Sequence, residues 1–302
     1  MAKYDDPGFY LLPMDHPIAV ENVRRHSSRA TCAENVWSKE ELDWLWKNAF
    51  TDKSRPRLNR NGTVIVDTDM DMIYRRYQSK FDALLGPNAS KTPCIGGNYF
   101  ITPQQYGLHQ DAGREEGYKR MLEDVPIWHE QRCFTTWKNI ITPLWVGSHL
   151  DELDGGQIVF FEQRDIGWAK VYNAGKQTKN IASIYEIKTD YSDIQFYNAS
   201  GQAIPRELNS VPFDVVFHEQ YMNTPYVRLA GLTPEEVFQW EPGNPCIFDA
   251  VQLHATNEGT KGGEHRKTWN AKMGLLMMFY VELDSDLLYL WREEQNELRK
   301  NS

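Results

Sequence analysis

The sequence has little that would tie it together covalently or hold it in a membrane. Its 302 residues include four cysteines, Cys32, Cys94, Cys133 and Cys246, and no two form a C-x-x-C pair. This argues against a disulfide framework and a thiolate zinc site, and fits reduced thiols in a cytoplasmic protein. The first residues lack the basic-then-apolar pattern of a secretory leader. The longest apolar run, Gly274 to Val281, is the length of a strand, well short of the ~20 residues of a membrane helix. Positive charge is also in deficit. Lys and Arg number 33 against 42 Asp and Glu, a formal net charge of -9. A phosphate-backbone binder needs a basic face, and no Lys/Arg-rich block is present, so neither nucleic acid nor membrane is expected as a partner. Internal repeats and low-complexity segments are missing too.

Apolar and aromatic residues, by contrast, are ample. Hydrophobic residues make up 41% and aromatics 13%, with 10 Trp, enough to bury one large core or two small ones. The first thirty residues are polar and broken by prolines, and read as a surface wrap. Ser38 and Glu41 have capping-box spacing, with Trp37 placed as a staple, so a helix starts there. Thr63 to Val66 is a short β-branched run. A second helix is expected from Met70 to Leu85, stopping at Gly86-Pro87. From about Ile95 the pattern changes to strands: Asn98–Thr102, Phe134–Val146, Gln157–Glu162, Ile181–Ile187, Pro245–Ala250 and Gly274–Glu282. Turn residues at Asp154-Gly155-Gly156, Pro242-Gly243-Asn244 and Gly262-Gly263 separate them. Helices followed by many strands predict an α+β chain with a mainly β core, an antiparallel sandwich or barrel. Residues 1–94 form a helical, wrapping region and 95–283 the core. An insertion at 164–239 is expected over the barrel mouth, and 284–302 form a C-terminal helix and tail.

Tyr106-Gly107-Leu108-His109-Gln110-Asp111 carries the chemistry. In an extended strand alternate side chains share a face, so His109 and Asp111 point together. An imidazole beside a carboxylate is two-thirds of a two-His, one-carboxylate iron site. Among the eight histidines, His254 follows the apolar stretch Pro245–Ala250 and is delivered into a polar loop, a plausible third ligand. Other clusters are weaker. His129-Glu130 with Cys133 has no partner pair, His149 and Asp151 sit in a turn cluster, and His265 reads as loop.

In this order the elements resemble the 2-oxoglutarate/Fe(II)-dependent dioxygenase superfamily. The H-x-D strand is followed after roughly forty residues by Asp154-Gly155-Gly156-Gln157-Ile158-Val159-Phe160-Phe161, and Glu241-Pro242-Gly243-Asn244 leads toward His254. The resemblance spans Asn98 to Glu282. It implies a double-stranded β-helix (jelly roll, cupin-like) with flanking helices, Fe(II) held by His109, Asp111 and His254, and 2-oxoglutarate and O2 as cosubstrates. The reaction it implies is hydroxylation with release of succinate and CO2. An acid at Asp111, where halogenating relatives leave the position open, favours hydroxylation. The family pairs the far carboxylate of 2-oxoglutarate with a basic residue on the last strand. Lys272 directly precedes the apolar strand and is preferred; Arg266, twelve residues past His254, is second. Tyr99, which shares the parity of His109, and Tyr106, which does not, are candidate hydrogen-bond donors to the cosubstrate, with core packing the competing role. Thr256 and Asn257 are candidates for ordering the surroundings of His254, with a turn role preferred. A cupin-type metal enzyme that does not use 2-oxoglutarate, or a non-catalytic jelly-roll binding module, are the alternatives. The substrate, a small molecule or a protein side chain, and the oligomeric state are not encoded in any motif.

Overall fold

The structure, a computed structural model, describes residues 9–12, 16–50, 54–58, 63–91, 94–102, 108–111, 132–146, 156–166, 194–222, 224, 226–256 and 272–300. The N-terminal part contains β1 (Phe9–Leu11), α1 (Pro17–Arg25), β2 (Thr31–Cys32), α2 (Lys39–Ala49), β3 (Arg55–Leu58), β4 (Val64–Asp67), α3 (Met70–Arg76) and α4 (Gln78–Leu85). Strands β5 (Cys94–Thr102), β6 (Arg132–Val146), β7 (Gln157–Arg164), β8 (Pro234–Gln239), β9 (Cys246–Asp249), β10 (Gln252–Thr256) and β11 (Lys272–Glu282) form the core. Helix α5 (Val215–Tyr221) precedes β8, and α6 (Ser285–Lys300) ends the described chain. No described helix is long and apolar enough to cross a membrane.

The strands form two sheets. The larger runs β2-β9-β6-β11-β5-β4-β3, with β1 added in parallel to β6, and the smaller runs β10-β7-β8. An isolated antiparallel bridge, His109 to His254, adds the 108–111 segment to the edge of the smaller sheet. Starting at β5 and counting that segment as second, the first strand pairs with the last, β5 with β11. The second pairs with the seventh, the third with the sixth and the fourth with the fifth, all antiparallel. This nested pairing is the wiring of a double-stranded β-helix, the jelly roll.

Burial follows from the wiring. Phe100, Ile141, Ile158, Phe160, Phe238, Trp240 and Phe248 fill the space between the sheets. The far face of the large sheet, with Tyr99, Ile140, Met273, Leu275, Met277 and Phe279, is covered by the helices through Leu45, Ile73 and Phe81. Strand β11 is therefore buried on both sides, which is why its sequence reads as a continuous apolar run. Helix α2 starts with the full capping box: Glu41 N donates to Ser38 Oγ at 3.3 Å, and Ser38 N donates to Glu41 Oε2 at 2.7 Å.

Several expectations need correction. Residues 17–25 of the supposed wrap form a helix, with Pro17 in its first turn and the His16 side chain accepting from Ile18 N. The expected long helix from Met70 is broken at Tyr77, whose ring packs edge-on against Trp37 and Trp44. The described part of the 164–239 segment packs against the small sheet. Its Phe196, Phe213 and Leu229 pack on Leu108, Val159, Phe161 and Leu253, the outer face of the small sheet, and Pro234–Gln239 is itself a barrel strand. The predicted strand Ile181–Ile187 lies outside the described residues.

Two glycines permit close approach. Gly97 has φ +137, and a Cβ there would meet the Leu276 carbonyl oxygen of the paired strand at 2.1 Å. Gly274 leaves room for the rings of Phe100 and Trp240, which a Cβ would meet at 2.6 and 2.8 Å. Gly97→Ala is expected to destabilise the fold by about 1–3 kcal/mol from backbone strain alone, read as a lower urea midpoint. A midpoint equal to the parent's would show that the β5–β11 approach relaxes freely.

Candidate metal centre

The chain reaches the site from three points. Leu108 is buried in the apolar layer outside the small sheet, which turns His109 to the inner side. His109 and His254 exchange two backbone bonds, His109 N to His254 O at 2.9 Å and His254 N to His109 O at 2.8 Å. Their rings lie side by side, with centroids 4.2 Å apart. Asp111 N donates to Ala250 O at 3.1 Å, so the carboxylate is anchored to the same turn that leads to β10. His109 Nε2 lies 3.6 Å from Asp111 Oδ1, and His254 Nε2 lies 3.8 Å from Asp111 Oδ2. One ligand atom from each of the three can be chosen so that all lie within 4.8 Å of one another, the only such group among the described residues. The stretch is not a full strand: 108–111 holds one bridge between bends.

His254 was expected just past the apolar strand Pro245–Ala250, entering a polar loop. Instead the chain turns at Ala250-Val251 and crosses from β9 in the large sheet to β10 in the small one. The crossing rests on buried charge. Asp249 accepts from Arg164 Nε at 2.6 Å and pairs closely with Lys138 Nζ, while Arg164 also reaches Glu235 at 3.2 Å and the Ser28 carbonyl at 2.8 Å. Arg164 is fully buried. Burial pushes the Lys138 ammonium below its ordinary range, and Asp249 opposes that shift. Two cations and two carboxylates balance, the condition for burying charge at all.

The ligand chemistry is consistent with a metal. His254 Nδ1 contacts Gln252 O at 3.0 Å. With Nδ1 as donor, Nε2 keeps its lone pair toward the site, the arrangement metal-binding imidazoles adopt. Phe160 and Phe248 flank the His254 ring at 5.6 and 4.9 Å. Among the described residues no cysteine joins this group, and burial pushes the Cys133 thiol up to about 12 and Cys246 well above its ordinary range.

Lys272 opens β11 and is buried, with Nζ 5.0 Å from the centre of the Trp240 ring, one of the side chains filling the space between the sheets. Tyr99 does not face the site. It is fully buried under the helices, and its hydroxyl donates to Leu45 O at 2.9 Å. Parity counted from Tyr99 to His109 failed because Tyr99 pairs with Leu275 in the large sheet, whereas His109 bridges to His254 in the small one. Thr256 is buried and lies within β10 rather than in a turn. Tyr106, Asn257, Arg266, His129, His149, Asp151 and His265 lie outside the described residues.

Sequence reasoning missed Asn139, whose Nδ2 donates to Asp111 Oδ2 at 2.8 Å, and the Arg164–Asp249–Lys138 cluster. The signal for both was present: Lys138-Asn139 interrupts an apolar strand, where a polar residue needs a partner.

No family profile and no curated protein matches the chain. Solved structures with a similar arrangement include a Pseudomonas putida prolyl-4-hydroxylase, at 10% identity and TM-score 0.40 over 87% of this chain and 97% of that one. EvdO2 from Micromonospora carbonacea var. aurantiaca, complexed with 2-oxoglutarate, aligns at 13% identity and TM-score 0.37 over 88% and 91%. The epimerase SnoN from nogalamycin biosynthesis aligns at 10% and TM-score 0.42 over 88% and 84%. The jelly-roll assignment stands on the strand order itself.

Asp249→Ala would strand the two buried cations of the turn and is expected to cost about 3–5 kcal/mol. Ser38→Ala, which removes only the exposed cap, should cost about 1 kcal/mol. Equal shifts of the denaturation midpoint would mean that water reaches the charge cluster.

Proposed function

We propose that the chain is an Fe(II)- and 2-oxoglutarate-dependent oxygenase of the hydroxylating type, with His109, Asp111 and His254 as the iron ligands. The observation that carries this reading is the convergence of two imidazoles and one carboxylate on the inner side of a jelly roll. Three protein ligands on one side of an ion leave its remaining positions to cosubstrate and oxygen. Bound iron would let O2 oxidise two partners together, one oxygen atom entering succinate as 2-oxoglutarate loses CO2 and the other turning a substrate C–H bond into C–OH.

The remaining work belongs to side chains of this protein. Asp111 supplies the negative charge of the ligand set. Gln252 O, through Nδ1, holds the His254 ring in a ligating orientation. Phe160 and Phe248 exclude water from one side of that ring, which strengthens the electrostatics of the site. Lys272 lies on the last barrel strand against Trp240, and we assign it the far carboxylate of 2-oxoglutarate. An ammonium buried on that strand offers the carboxylate an opposite charge away from water. The substrate is a small molecule or a protein side chain.

His109→Ala and Asp111→Ala are each expected to abolish Fe(II)-dependent succinate formation from 2-oxoglutarate in a protein that still folds by circular dichroism. Full activity in either variant removes that residue from the ligand set. Oxygen uptake that proceeds equally without 2-oxoglutarate would point instead to a cupin-type oxygenase.

For the cosubstrate, Lys272→Ala should raise the KM for 2-oxoglutarate at least about tenfold, the scale of losing one buried charge partner. Arg266→Ala should leave it nearly unchanged. The reverse order would transfer the role to Arg266.

A further inference from the structure

Two polar residues, Lys138 and Asn139, interrupt the middle of β6. Lys138 is accounted for by Asp249. Asn139 is not accounted for by packing. It lies in register with Phe248 on one side and Met278 on the other, and is 1% exposed. Its Nδ2 donates to Asp111 Oδ2 at 2.8 Å. Its Oδ1 is buried and has no hydrogen-bond partner among the described residues. A buried amide with half of its capacity unmet is a poor structural element, because a leucine of nearly the same size would fill the place with no polar atom to satisfy.

We infer that Asn139 is a positioning residue for the metal site: its amide N–H fixes the rotation of Asp111. This rests on the reading of His109, Asp111 and His254 as metal ligands. Held at Oδ2, the carboxylate cannot turn about its last torsion. Oδ1 lies 3.6 Å from His109 Nε2 and Oδ2 3.8 Å from His254 Nε2; with Oδ2 taken by the Asn139 bond, Oδ1 is the oxygen left for an ion. One-oxygen binding keeps a coordination position open that two-oxygen binding would occupy. Residues that orient a metal ligand in this way typically change metal affinity by about 10–100-fold when removed.

The test uses the purified full chain, stripped of metal, and Co(II) alone as probe. Calorimetry gives the Kd, the visible absorption of bound Co(II) reports its coordination, and the Tm of the metal-free protein reports the fold. Asn139→Leu is expected to bind Co(II) about tenfold or more weakly, with an altered visible spectrum, while the metal-free Tm stays equal or rises. A folded Asn139→Leu protein that binds Co(II) within twofold of the parent, with the parent's spectrum, overturns the inference. If the leucine variant does not fold, Asn139→Ser, which keeps a polar group but loses the reach to Asp111, is judged by the same two readouts. His254→Ala separates the two levels: Co(II) binding that survives this change sinks the metal site itself, whatever Asn139 does.

Discussion

The pair of backbone hydrogen bonds between His109 and His254 is the constraint on which the site depends. Two residues that exchange both N–H···O bonds are held directly opposite one another, and their side chains leave the sheet on the same face. A slip of one residue would send His109 outward and Leu108 inward. The burial of Leu108 among Val159, Phe161 and Leu253 opposes that slip. Ring placement is therefore set by strand register and by an apolar contact on the opposite face, not by the flexibility of a loop. Asp111 follows two residues later and is secured through its own N–H to Ala250.

The β9–β10 turn carries both the anchor for Asp111 and the route to His254, so its geometry is the second determinant. Buried ion pairs contribute little net stability, but breaking one is costly. Asp249 pairs with Arg164 and Lys138, and Arg164 continues to Glu235 and Ser28. Ser28 and Ala30 also donate their backbone N–H groups to Asp249 and Glu235. The N-terminal segment is thus bound to the turn that positions the site. On the opposite side of the large sheet the helices keep β11 rigid through Leu275 and Met277, which holds Lys272 on a strand buried from both faces.

Much of this was legible in local pattern. The spacing of Ser38 and Glu41 announced the start of α2, and Gly86-Pro87 its counterpart at the end of α4, where Gly86 takes φ +70. The H-x-D spacing put His109 and Asp111 on one side because side-chain direction along an extended stretch is a local property. Long apolar runs marked β6, β7 and β11.

Other features needed the folded chain. Parity could not be carried from Tyr99 to His109, since the two pair in different sheets and alternation counts faces only within one. The crossing at Ala250-Val251 was hidden inside an apolar run, because a strand that changes sheets keeps the same composition on both sides of the bend. Asn139 and Arg164 stood in the sequence as unexplained polar residues, and only contacts between positions far apart, Asn139 with Asp111 and Arg164 with Asp249, show what neutralises them. Residue type and short spacing are read from neighbours along the chain. Which face a side chain serves, and which distant group satisfies it, is decided by sheet pairing, a non-local event whose cost and reward no short window of sequence contains.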